Sequence, residues 1–144
     1  MKIALEEARK AYEKNEVPIG AIIVKNGEVI ARAHNTREGD QSSLAHAEII
    51  AIQRANDALE SWGLDSCSLY VTIEPCQMCS GAIIQSRIEN VYYGATDLKS
   101  GAHQSILNLY EFPFNHKVNV ESGILEEECG ELMTTFFKYL RNKN

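Results

Sequence analysis

The sequence predicts a layered α/β fold around a mixed sheet. Segments with helical spacing of apolar residues alternate along the chain with short, apolar, β-branched runs, the pattern of helices packed on a sheet. Two of those runs are joined by Asn26-Gly27, the strongest short-range hairpin signal, so part of the sheet must be antiparallel.

Taken in order, residues 2–14 place Ile3, Leu5, Ala8, Ala11 and Tyr12 opposite Lys2, Glu6, Glu7, Arg9, Lys10 and Glu13, which predicts an amphipathic helix. IGAIIV and EVIARAH flank the Asn-Gly turn and read as strands over 19–25 and 28–34. HAEIIAIQRANDAL predicts a helix over 46–58, and SLYVTI a strand over 68–73. SGAIIQSRI reads as a helix, ENVYYGA as a strand over 90–94, and VNVES as a weak strand. Residues 97–116 are irregular apart from a short helix at SILNLYE, and EEECGELMTTFFKYLRNK predicts a final amphipathic helix.

The chain has 144 residues, the usual size of one domain, and no linker, repeat or low-complexity run divides 1–144. An apolar share of 44% and a charged share of 24% fit a globular protein. No stretch approaches the ~20 apolar residues of a membrane span. The N-terminus lacks the apolar core of a secretory signal, so a cytoplasmic location is expected and the four cysteines are read as thiols in a reducing compartment. A net charge of −6 argues against bulk attraction to nucleic acid while leaving room for a local basic patch.

Residues 74–79 read EPCQMC. Alone, Cys76-x-x-Cys79 fits a redox pair in a strand–motif–helix setting as well as it fits zinc. A zinc ribbon fails on count, because Cys67 and Cys129 are isolated and read as small buried residues. His46, opening the preceding helix, adds a third ligand. Three protein ligands with an open fourth position are the catalytic pattern, whereas structural sites use four. Cys76 and Cys79 share one face of a first helical turn, where the positive helix end favours thiolates. Glu48, two residues past His46, points to another side of its helix and is placed to move the protons of a zinc-activated water. His-x-Glu followed by Pro-Cys-x-x-Cys is the recognised signature of zinc-dependent nucleobase deaminases.

Over nearly its whole length the chain resembles the bacterial tRNA-specific adenosine deaminase family. The matching stretches are EVPIGAIIV, the HN pair at 34–35, AHAEIIAI, LYVTIEPCQMCSGAII, SRI, VYYGATDLKSGA, NHKV, and GILEEEC followed by FF. GDQSSLAHAE departs from the Asp-Pro-Thr-Ala-His-Ala-Glu run often found there. The resemblance implies a three-layer α/β/α cytidine-deaminase-like fold with a central mixed five-stranded sheet. It implies one zinc ion (Zn2+) per subunit on His46, Cys76 and Cys79, with Glu48 as proton shuttle. Asn35, the Ala47 amide, Val17, Pro18 and Pro75 would hold the base, and Asp97, Lys99 and His116 would contact RNA. The implied substrate is wobble adenosine in the anticodon stem-loop of an arginine tRNA, flipped out and converted to inosine by a homodimer whose two subunits the RNA crosses. Deamination of a free base or nucleoside (guanine, cytosine or cytidine) is the alternative within the same superfamily; a non-catalytic zinc-stabilised RNA-binding subunit and a thiol–disulfide oxidoreductase are the others. His103 reads as a surface residue, Phe136, Phe137 and Tyr139 as packing, and Lys138, Arg141 and Lys143 as a solvated face or phosphate contacts.

Overall fold

The computed structural model describes residues 1–143. The chain runs α1 (Lys2–Glu13), β1 (Gly20–Lys25), β2 (Glu28–His34), α2 (Arg37–Asp40), α3 (Ala47–Leu59), β3 (Cys67–Ile73), α4 (Gln77–Gln85), β4 (Asn90–Ala95), a 3-10 turn at Leu109–Glu111, β5 (Asn119–Glu121) and α5 (Glu126–Asn142). The five strands form one mixed sheet in the order β2-β1-β3-β4-β5. β1 is antiparallel to both β2 and β3, while β3–β4 and β4–β5 are parallel.

Local chemistry explains these pairings. Asn26 and Gly27 both adopt positive φ, 51° and 76°, the requirement of the tight turn that closes β1 onto β2. A parallel pair cannot be joined by a tight turn, and α4 supplies the crossover from β3 to β4. Helices α3 and α4 cover one face of the sheet. There Ala47, Ala51, Ala55 and Ile83 pack against Ile23, Leu69, Val71 and Val91. Each large side chain in this layer contributes roughly 1.5–3 kcal/mol through burial. Helices α1 and α5 cover the other face, where Leu5, Ile73, Ala95 and Cys129 cluster. Gly20 lets α1 lie directly on β1, because a Cβ there would strike the Ala4 carbonyl and the Ala8 amide.

The topology brings one set of chain ends together. Gly20, at the start of β1, is opposite His34, at the end of β2, and Ile73, ending β3, is opposite Ala95, ending β4. Segments 17–19, 35–46, 74–76 and 96–105 therefore leave the same edge of the sheet, where α/β folds place their ligands.

Several expected boundaries shift. α4 begins at Gln77 and stops at Gln85, so Ser86–Ile88 are not helical: Arg87 turns to φ 65° and drops Ile88 into the core. β3 includes Cys67, which is fully buried. SILNLYE yields only the 3-10 turn, since Asn108 caps Tyr110 N–H at 3.0 Å and Pro113 follows closely. α2 has no counterpart among the expected elements. Cys129 is buried in α5, as expected.

Candidate active site

His46 is the N-cap of α3 and Cys76 the N-cap of α4, each with extended backbone angles, so both side chains leave positively polarised helix ends. Cys79 follows inside the first turn of α4. His46 Nδ1 lies 3.7 Å from Cys76 Sγ and 3.4 Å from Cys79 Sγ, and all three donor atoms fall within 4.8 Å of one another. A tetrahedral zinc with normal Zn–N and Zn–S bonds would separate nitrogen from sulfur by about 3.5 Å. The donor set and its spacing thus fit a zinc ion. The two thiols move in opposite directions. A hydrogen bond from Cys79, with further help from His46, holds Cys76 down at about 4. Hydrogen bonding to Cys76 and then burial push Cys79 upward.

Glu48 stands outside this three-donor group. It is 3% exposed and lines the cavity, and burial pushes its carboxyl up to about 7. A carboxylate tuned near neutrality suits a group that must take up and release a proton.

Asn35 was expected to hold substrate together with the Ala47 amide. The structure separates these roles. Asn35 Oδ1 accepts the Ala47 N–H at 2.7 Å, so that amide is engaged within the protein. The bond also fixes which way the Asn35 amide faces, leaving Nδ2 as the donor on a cavity-lining side chain.

The cavity holds about 770 Å³. Val17 and Ile19 form one wall, Thr96–Ser100 a second, and Met133, Phe137 and Arg141 of α5 a third. Pro18 and Pro75 are fully buried next to lining residues Val17, Ile19, Glu74 and Cys76. Lys99 is exposed on the rim. Asp97 Oδ1 accepts the Lys99 and Ser100 amides, both at 3.2 Å, which makes it a turn former as well as a cavity residue. His116 lies elsewhere: its Nε2 meets the Ile88 carbonyl at 2.7 Å in a separate hollow beside Trp62, Arg87 and Phe114. His103 is not a free surface residue, since its Nδ1 pairs with Tyr93 Oη at 2.8 Å and burial lowers its pKa. Phe136 is buried against Tyr12, whereas Phe137 faces the cavity.

Three buried acids escaped the sequence reading: Glu16, Glu74, and Glu7, which was expected on the polar side of α1 but is buried there. Glu16 accepts the Glu38 and Gly39 amides at 3.0 and 2.7 Å and so anchors α2. Glu74 accepts from four residues of the 97–105 loop. Burial opposes its charge, but bonds from Ser105, Gln104, Asp97 and His103 outweigh that and hold its pKa below the usual carboxylate range. Acids that bind backbone amides follow no residue spacing. The only available signal was the acidic residue beside Pro75 at the end of an apolar strand.

A MafB19-like deaminase family model matches residues 1–141. The tRNA-specific adenosine deaminase of Bacillus subtilis (strain 168) is 55% identical over 144 residues, spanning 99% of this chain and 89% of that protein. This chain belongs to the tRNA-specific adenosine deaminase family. The family member of Aquifex aeolicus (strain VF5) is 50% identical over 143 residues, 99% of this chain and 94% of that one. A solved structure from studies of A-to-I editing by tRNA:A34 deaminases superposes with a TM-score of 0.89 at 46% identity, covering 92% of this chain and 96% of that chain. The guanine deaminase of Nitrosomonas europaea shares the fold, with a TM-score of 0.80 at 23% identity, over 92% of this chain and 80% of that one. The cytidine-deaminase-like fold expected from the sequence is thus borne out.

Proposed function

We propose that this protein hydrolyses adenosine to inosine at the wobble position of an arginine tRNA anticodon, with one zinc ion held by His46, Cys76 and Cys79. The observation that carries the chemistry is the buried Glu48 beside a three-donor group whose spacing suits zinc. The likeness to tRNA-specific adenosine deaminases, and the match to a structure studied for wobble editing, support the substrate.

Zinc in that position would supply Lewis acidity to an attacking water at neutral pH. Glu48 takes a proton from that water and delivers it to N1 of the purine. The water oxygen bonds to C6; Glu48 then takes the remaining proton of that oxygen and passes it to the amino group, whose C6–N bond breaks to release ammonia, leaving the C6 carbonyl of inosine. Asn35 Nδ2 donates to the nucleoside, and its own orientation is locked by the Ala47 amide. Val17 and Ile19 present an apolar wall to the base, and burial around Glu48 keeps bulk water from competing for its proton. Asp97 and Lys99 stand on a loop that lines the cavity, which supports their facing the nucleotides beside the target in the proposed complex.

A homodimer in the cytoplasm belongs to the same proposal. Exposed Leu44, Ile106, Phe112 and Phe114 offer apolar surface that a second copy could cover, and sedimentation at micromolar concentration tests it.

The test of function incubates the zinc-loaded protein with an arginine tRNA anticodon hairpin carrying wobble adenosine, with guanine, cytosine and cytidine in parallel. Inosine at the wobble position, absent with Glu48→Ala, is the expected result. Turnover of a free base or nucleoside without inosine would discard the tRNA substrate while keeping the metal chemistry.

A further inference from the structure

Glu74 opens the segment that carries Cys76, and it is 3% exposed, yet it is not one of the metal donors. Its oxygens serve one stretch of backbone. Oε1 accepts Asp97 N–H at 3.0 Å and Ser105 Oγ–H at 2.6 Å. Oε2 accepts His103 N–H at 2.9 Å, Gln104 N–H at 2.8 Å and Ser105 N–H at 3.2 Å. A carboxylate offers about four lone-pair sites, so these five donors saturate it.

Two backbone ties reinforce the attachment. Ala102 N–H donates to the Pro75 carbonyl at 2.9 Å, and Gly101 forms an isolated antiparallel bridge with Cys76. Gly101 passes so close to Glu74 that a Cβ would overlap the carboxylate carbon and both its oxygens. The stretch 97–105 therefore hangs from the strand end that delivers a metal donor, at Glu74, Pro75 and Cys76. Its outer part, Asp97–Ser100, forms one wall of the cavity and carries the exposed Leu98 and Lys99.

We infer that Glu74 is a positioning residue for substrate recognition: by holding Asp97–Ser105 against the ligand strand, it sets the wall that receives the nucleotides flanking the reacting adenosine. The inference rests on the RNA substrate proposed above. Its kinetic signature is in KM and not in kcat, because the loop faces the flanking nucleotides while Glu48 and the metal donors act on the base.

Glu74→Gln puts an N–H₂ where one acceptor oxygen stood, so donors face donors at one end of the loop. The zinc-loaded full chain carrying Glu74→Gln, and separately Gly101→Ala and Ser105→Ala, would be measured in three ways: backbone amide hydrogen exchange, metal content, and kcat and KM on the wobble-adenosine hairpin. In Glu74→Gln the expectation is a KM raised about ten-fold or more, kcat within about three-fold, and undiminished zinc. Exchange at residues 97 and 103–105 should quicken about ten-fold or more while the α4 amides are unaffected. Gly101→Ala should move KM and exchange in the same direction, and Ser105→Ala, which removes a single donor, should do so by about three-fold.

Unchanged exchange at those amides, or a fall in kcat at constant KM, overturns the inference. So does loss of zinc and activity together, which would make Glu74 a support of the metal donors. If Glu74→Gln does not fold, Gly101→Ala and Ser105→Ala decide by the same criteria. If the parent protein makes no inosine, the substrate reading fails on its own account. The exchange comparison then judges whether Glu74 holds the loop.

Discussion

Glu48 and Asn35 lie on the same cavity, buried to the same degree, and the proposed reaction gives them different kinds of work. Replacing Glu48 with Ala removes the proposed proton carrier but none of the three candidate metal donors. Zinc content and unfolding temperature should stay near the parent's while inosine formation falls by about 10⁴-fold, the upper range for loss of an acid–base group. Parallel metal analysis and hairpin turnover check this. Asn35 accepts the Ala47 amide and, in the proposed reaction, donates to the nucleoside, and two substitutions separate these. Asn35→Asp keeps an acceptor for the Ala47 amide but loses the donor, so KM should rise about ten-fold with stability nearly kept. Asn35→Ala strands the buried Ala47 amide as well and should cost a further ~1–3 kcal/mol, read from urea midpoints. At this scale the sequence was legible where chemistry imposes a spacing. His46, Cys76 and Cys79 could be expected to gather, with Glu48 beside them, because the metal and proton chemistry proposed for them demands those residue types in that order. Glu16 and Glu74 could not, because a carboxylate that gathers backbone amides leaves no pattern in the neighbouring letters.

Helix α1 shows how an element on the far face of the sheet is tied to the strand that ends at the site. Glu7 accepts from Lys10 at 2.8 Å and from Arg32 Nε on β2 at 3.0 Å, and its other oxygen meets His34 Nδ1 at 2.8 Å. Burial pushes Glu7 upward, but the hydrogen bonds from Lys10 and His34 and the charges of Lys10 and Arg32 prevail and hold its pKa at about 2. A folded-state pKa below the unfolded one gives stability that is complete above the unfolded value and lost as pH falls toward about 2. Allowing for solvent around the half-exposed Lys10 and Arg32, the contribution is about 2 kcal/mol. Glu7→Gln should therefore be less stable than the parent by that amount at pH 7, with the gap closing as pH drops to about 2, measured by urea denaturation across the range. At the element scale the strands and long helices were legible from periodicity. The four-residue α2 was not, because no apolar repeat encodes it: Thr36 bonding Asp40 at 2.7 Å and the Glu16 carboxylate hold it instead. Likewise the end of α4 is set by tertiary burial of Ile88, which draws Arg87 into a left-handed turn.

Across the whole molecule the charge is −6, yet the cavity rim carries Arg37, Lys99 and Arg141, all exposed. Three cations meeting a single-stranded loop predict a log–log dependence of RNA affinity on salt with a slope of about −2. Removing any one of them should flatten the slope by about 0.7, a change that fluorescence anisotropy with a labelled hairpin would resolve. Net composition argued only against bulk attraction. The local patch depends on bringing α2, the loop after β4 and the end of α5 to one opening, a contact between distant parts of the chain that no window of sequence contains.

The loop suspended from Glu74 has its backbone held from beneath, so the outward side chains of Leu98 and Lys99 are not needed to hold its shape. Such a division makes the molecule evolvable at that spot. Under the proposed function, lineages, or a directed-evolution library, can exchange letters at 98 and 99 and sample new RNA contexts while the His46, Cys76 and Cys79 group stays unchanged.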